Sequence, residues 1–223
     1  MPRQSRIVIP NVPHHIIQRG NMQRDIFFSD QDRKMYLTWL MEYSHMHKLK
    51  ILAYCLMTNH LHMVVEPSDQ SSLSKTLKIV HTRHTQKINR LFNWQGHLFQ
   101  GRFLSVPMDE IYCWVCVRYV EQNPLRAGMV KTASDYLWSS AAHHCGLTVD
   151  PLISKGTQYS GPIDGWSEVL SQIPDQIMVE KIRFRTHTGI PCGSDKFVHE
   201  IAKKTKRVLI ERPKGNPKWK KKV

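Results

Sequence analysis

Acidic side chains are in short supply. The chain carries 18 Asp and Glu against 32 Lys and Arg, a net charge of +14 over 223 residues. That balance points to polyanionic partners, because cations that neutralise phosphates release condensed counterions. Long apolar runs are lacking as well. Nothing approaches the ~18 uninterrupted apolar residues of a membrane helix. The opening "MPRQSRIVIPNVPHH" has no apolar core of signal-peptide length, so a cytoplasmic protein is expected. Cysteines number only five. An odd count without a secretory signal argues against a disulfide framework, and no second Cys-x-x-Cys completes a zinc site. Cys113 and Cys116, in "IYCWVCVRYVEQ", read as buried thiols on a helix. No internal repeat is visible.

What is present is unevenly spread. Residues 201–223 hold ten Lys/Arg and one Glu, nine of the fourteen net charges. This tail lacks an amphipathic apolar face, which favours nucleic acid over a membrane surface; the bland alternative is a solubility tail. Its "RPKGNPKWKKK" is expected to be disordered when free. The remaining residues, with 41% apolar content overall, suffice for a core. Composition shifts near Gly146, where "GLTVDPLISKGTQYSGPIDG" reads as a connection. The organisation expected is a main domain over residues 1–145, a linker and helical extension over 146–200, and a flexible basic tail over 201–223.

Periodicity supplies the elements. "HHIIQRG" is a short strand closed by a Gly-Asn turn. Ser29 or Asp30 caps a helix through "DQDRKMYLTWLMEYSHMHKL". "KILAYCLM" and "HLHMVVE" are strands joined at Thr58-Asn59. Ser71 to about Phe92 is helical, with Leu73, Leu77, Val80, Ile88 and Leu91 as its apolar stripe. "GHLFQGRFLSVPM" is strand-like, and Asp109 caps a helix that ends before Pro124. The order β α β β α β plus a helix predicts an α+β fold: a ferredoxin-like antiparallel sheet with helices on one face. "PDQIMVEKIRFRTHTG" and "GSDKFVHEIAKKTKRVLIE" form two further short helices around "GIPCG". Helix, tight turn and basic helix is a shape used on duplexes, and also that of any small helical hairpin.

The stretch "AYCLMTNHLHMVVEP" poses the chemical question. Residues i and i+2 of a strand face the same side, so His60 and His62 present two imidazoles together while Leu61 and Met63 point away. That is a two-donor metal grip; two surface histidines on a half-solvated sheet would look the same. A third ligand must come from elsewhere. On the helix "YCWVCVRYVEQNP", Tyr119 and Asn123 lie one turn apart on one face. A phenol beside an amide oxygen, opposite a metal-binding His pair, suits attack of a tyrosine oxygen on a metal-polarised phosphate. Alone, Tyr119 would read as a core aromatic.

Together these residues resemble a known family. "NHLHMVVEP" matches the histidine–hydrophobic–histidine strand of the HUH single-strand endonucleases. "RYVEQNPLRAGMV" is similar to the tyrosine helix of the bacterial REP-associated tyrosine transposases, relatives of the smallest insertion-sequence transposases. "HHIIQRGNMQRDIFF", "GHLFQGRF" and "THTGIPCGSDKFV" resemble further segments of that family. The likeness covers most of the chain, and the order of motifs is more specific than any one of them.

The resemblance implies a cytoplasmic, metal-dependent endonuclease and strand transferase for single-stranded DNA, acting beside hairpins. Tyr119 is implied as the nucleophile that stays joined to a 5′ phosphate. His60, His62 and Asn123 are implied as metal ligands, with Gln122 as a substitute for Asn123. Magnesium or manganese is the family's metal, although imidazoles accept zinc and others. Arg19, Arg102 and Arg126 lie within the similar segments, as phosphate contacts or as ordinary surface arginines. Lys75, Lys78 and Arg83 add a basic helix face for DNA, or a merely solvated one. The chain would act as a monomer or homodimer. The rival functions are a domesticated, non-catalytic DNA-binding regulator, a replication initiator or relaxase with the same chemistry, and a metallo-phosphoesterase using water.

Overall fold

A computed structural model describes residues 6–209. Most of the basic tail, including "RPKGNPKWKKK", lies outside the described residues. Strand β1 (His14–Arg19) leads through a tight turn to helix α1 (Asp30–Met46), then β2 (Leu49–Leu56), β3 (His60–Pro67), α2 (Ser72–Phe92) and β4 (Leu104–Pro107). Helix α3 (Glu110–Glu121) and the short α4 (Asn123–Arg126) and α5 (Ala141–His144) follow. Then come α6 (Trp166–Ser171), α7 (Gln176–Thr188) and α8 (Asp195–Thr205). The four strands form one antiparallel sheet in the order β2-β3-β1-β4. This is the expected α+β, ferredoxin-like arrangement.

Local chemistry sets the boundaries. The Ser29 hydroxyl accepts from the Asp32 amide and starts α1. Asp109 starts α3 by accepting from the Tyr112 amide. Its second carboxylate oxygen accepts from the Ser194 amide, 2.8 Å away, pinning the turn before α8. After β1 the chain reverses so tightly that a Cβ on Gly20 would sit 2.0 Å from the Arg24 carbonyl. Only glycine permits that approach. The expected strand "GHLFQGRFLSVPM" pairs regularly only over Leu104–Pro107. Gly96 and Gly101 adopt positive φ and break the ladder, leaving Phe99 in a single bridge to Gly20. The resulting loop hangs Gln100 and Arg102 over the end of β1.

The strand alternation builds two cores. Ile16, Leu61, Met63 and Val65 meet Tyr36, Leu40, Leu73, Leu77, Val80 and Ile88 of α1 and α2 in one apolar cluster. This is the one-sided cover anticipated for the β α β β α β unit. The opposite face is covered too. Ala53, Cys55, Val64 and Val106 pack on Cys113, Cys116, Val117 and Val120 of α3, joined by Trp166, Leu170, Val179 and Ile182 from α6 and α7. A sheet whose second face carries Ala, Cys and Val as well as histidines cannot stay half-solvated, so cover from one side alone is not enough. Cys113 and Cys116 are buried thiols within this second core, as expected. Glu121, fully buried, ties the later segment down: its carboxylate accepts from Ser140, His144 and Trp166 Nε1. No helix of the described residues is long and apolar enough to cross a membrane.

Candidate functional site

The register decides which side chains share a face. Arg19 pairs with His60 and Ile17 with His62, so all four point to the α3 side. Tyr119 comes down from α3 onto them, its ring 5.5 Å from that of His62 and edge-on at 88°. The His60 and His62 rings lie 5.0 Å apart. The residues surround an open cavity of about 730 Å³, whose lining includes Arg19, Arg102, Asn123 and Arg126. The structure thus brings seven of the expected site residues to one place.

Each imidazole has one nitrogen engaged. His60 Nδ1 lies 2.6 Å from the Asn59 side-chain oxygen. The Asn59 amide nitrogen donates to the Gln23 carbonyl, which fixes the amide's orientation. Asn59 therefore accepts from His60 Nδ1–H and leaves Nε2 as the nitrogen with a lone pair. His62 Nδ1 lies 3.1 Å from His15 Nε2. Burial, with the Arg19 charge adding to it, lowers His60 to about 4. Burial and then the neighbouring histidines and arginines hold His62 well below its ordinary value. Both rings are accordingly neutral near pH 7, the form that ligates metals.

Asn123 directs its amide nitrogen to the Tyr119 and Val120 carbonyls, so the end left for a ligand is its oxygen. Among the described residues no group of three or more His, Cys, Asp or Glu is placed to hold a metal. A third protein donor to a metal at the His pair would be of another kind, and the Asn123 oxygen is available for it. Two neutral imidazoles plus an amide oxygen fit a divalent cation with positions left for phosphate. Gln122 is not among the residues that line the cavity: it is buried and its amide nitrogen donates to the Leu170 and Gln172 carbonyls.

The electrostatics are one-signed. Four arginines and no carboxylate line the cavity. The Arg126 and Arg183 guanidinium carbons stand 5.0 and 5.6 Å from the Tyr119 ring centre. Arg183 Nε also donates to the Tyr119 hydroxyl at 3.3 Å. Arg183 and His187, both from α7, were not singled out from sequence, nor was His15. His15 carried a usable signal, since it has the strand parity of Arg19. Arg183 and His187 carried none, because a helix more than 50 residues beyond Tyr119 gives no local hint of where it docks. Lys75, Lys78 and Arg83 are not brought to the cavity. They lie exposed on α2, whose apolar stripe grips the opposite face of the sheet. Arg83 instead sits 5.3 Å over the Tyr43 ring.

The fold is shared with solved transposases. A solved REP-associated tyrosine transposase bound to a REP hairpin superposes with a TM-score of 0.56 at 16% identity, covering 73% of this chain and 98% of that one. A putative transposase from Deinococcus radiodurans matches at a TM-score of 0.38 and 14% identity, over 54% of this chain and 96% of the other. No curated protein matches the sequence. Residues 9–123 match the family described as IS200-like transposases. The chain belongs to that family, and it is a DNA-processing enzyme of the transposase type. The family is in general dependent on a divalent metal.

Proposed function

We propose that this protein cleaves and rejoins single-stranded DNA through a covalent 5′-phosphotyrosine linkage, on hairpin DNA. The observation that carries the reading is the placement of Tyr119, edge-on to His62 in a cavity lined by arginines. The Tyr119 oxygen attacks a backbone phosphorus and loses its proton. The bond from phosphorus to the 3′ oxygen breaks, and that oxygen leaves as a hydroxyl. The new ester keeps the energy of the broken one, so a second 3′ hydroxyl can displace Tyr119 and join strands without ATP. Arg19, Arg102 and Arg126 hold phosphate oxygens on either side of the scissile bond. His60, His62 and Asn123 would hold the divalent metal, magnesium or manganese. Such a metal, when bound, withdraws charge from the phosphate oxygen and orients the phosphorus for in-line attack. In this reading residues 1–145 form the nuclease unit and 146–200 an extension that completes its site. Lys75, Lys78 and Arg83 contribute only non-specific attraction from a separate face. The setting is the cytoplasm, in keeping with five free thiols.

The test is a labelled single-stranded hairpin drawn from repeats near the gene, incubated with manganese and resolved on a denaturing gel. A labelled protein band is expected, and it should vanish in Tyr119→Phe and in His60→Ala while DNA binding changes by less than a few-fold. An adduct that survives Tyr119→Phe sinks the assignment. Cleavage without a protein-linked band favours a metal-bound water instead.

A further inference from the structure

A chain of three buried contacts leads away from His62. His62 Nδ1 meets His15 Nε2 at 3.1 Å, His15 Nδ1 meets the Thr186 hydroxyl at 2.9 Å, and that hydroxyl meets the Ile182 carbonyl at 2.7 Å. Only one end has a fixed sense. A carbonyl oxygen accepts and never donates. The single Thr186 proton therefore goes to Ile182, and the hydroxyl oxygen must accept from His15 Nδ1–H. His15 is fully buried and its ring contacts a hydroxyl and an imidazole rather than a carboxylate, so it is neutral. A neutral ring with its proton on Nδ1 has a bare Nε2, which accepts from His62 Nδ1–H. The reverse direction makes two of the bonds. It leaves two oxygens facing each other at 2.7 Å without a proton between them, a buried arrangement of the costly kind.

We propose that His15 and Thr186 are positioning residues that lock His62 in the Nδ1–H tautomer and so hold the lone pair of Nε2 ready for a ligand. The metal side of this rests on the reading of His62 as a ligand; the tautomer itself does not. Thr186 belongs to α7 and His15 to β1, so the helix that brings Arg183 to Tyr119 also sets the chemistry of the His pair. His60 reaches the same state by a separate route, through Asn59 and the Gln23 carbonyl. Two neighbouring imidazoles, held by unrelated parts of the chain, thus end with the same nitrogen bare.

The tautomer is read directly from the metal-free, full-length protein labelled with ¹⁵N-histidine. Long-range proton–nitrogen correlation should give His62 a pyrrole-type shift at Nδ1 and a pyridine-type shift at Nε2. A pyrrole-type Nε2 overturns the proposal, whatever the variants do. Thr186→Val removes the acceptor of the His15 Nδ1–H and keeps the shape. It is expected to mix the His62 tautomers and to weaken Mn²⁺ binding ~10–100-fold, as loss of an outer partner does elsewhere. Free manganese counted by electron paramagnetic resonance gives that affinity. Thr186→Ser should restore both signals, and His15→Gln, which can accept and donate at once, should restore them in part. Unchanged tautomer and affinity in Thr186→Val would also overturn the proposal. If the wild type shows the assigned tautomer but binds no manganese, the ligand role of His62 fails and the positioning stands.

Discussion

The two faces of the sheet use the same strands for opposite ends. Toward α1 and α2, the residues of β1, β2 and β3 are Ile16, Ile51, Leu56, Leu61, Met63 and Val65, closed into a dry core. Toward α3 and α7, the next residue along each strand is His15, Arg19, His60 or His62, beside Ala53, Cys55 and Val64. A shift of one residue separates a hydrophobic contact from a histidine facing the cavity, because the pleat sends neighbours to opposite sides. The first face is held by apolar area. The second is held partly by area and partly by a buried carboxylate, and it leaves room for a charged substrate.

That contrast can be broken most severely at Glu121. Glu121→Ala strips the acceptor from His144, Ser140 and Trp166 at once, and should cost about 3–5 kcal/mol by chemical denaturation. On the dry face, Leu61→Ala should cost about 3 kcal/mol by the same measurement, from lost transfer free energy and a residual cavity. DNA cleavage per folded molecule should stay within a few-fold of wild type there. A 100-fold loss of activity in Leu61→Ala would mean that the two faces are not separable.

Acidity should act on both faces, since buried neutral histidines lie on each, and one histidine–carboxylate pair carries the opposite sign. Burial lowers His14 and His84, both on the α1–α2 side, to about 4. In the unfolded chain they take up protons near pH 6.5. Between pH 6.5 and 4 the unfolded state therefore binds more protons, and stability falls as pH falls, by ~1.4 kcal/mol per pH unit for each such group. His144 has the opposite sign. Burial works against its charge, but the hydrogen bond and charge of Glu121 outweigh that and raise its pKa. Its contribution is complete below pH 6.5 and is lost as pH rises through the raised folded value. Urea midpoints across pH 4–9 should drop at the acid end in wild type. His144→Gln should flatten the alkaline slope alone.

The smallest effect is expected at Arg183. Arg183→Gln removes a donor to the Tyr119 hydroxyl but leaves Arg126 over the ring. Single-turnover cleavage should slow ~10-fold, equivalent to ~1.4 kcal/mol in the barrier, with the fold unchanged by circular dichroism. The dependence of DNA binding on salt should lose about one phosphate equivalent.

Much of this could be read from residues in order. The alternation around His60 and His62, the Ser29 and Asp109 caps and the apolar stripe of α2 are local patterns, and each led to the element found. The glycine-broken stretch before β4 has the Phe, Leu and Val content of a strand throughout, but positive φ at Gly96 and Gly101 keeps its first part from extending. Asn123 and Tyr119 shared a face by helix geometry alone. The exclusion of Lys75, Lys78 and Arg83 from the cavity needed the direction of the α2 stripe relative to the sheet.

Strand and helix periods, repeated every two or 3.6 residues, are properties of neighbours along the chain, and so the sequence by itself determined the β α β β α β order and the pairing of His60 with His62. Which face α3 and α7 cover is a property of burial summed over distant segments. Only the tertiary structure decided that Arg183, His187 and Thr186 would close over Tyr119 and the His pair, because apolar area on α6 and α7 had nowhere else to go but the second face of the sheet.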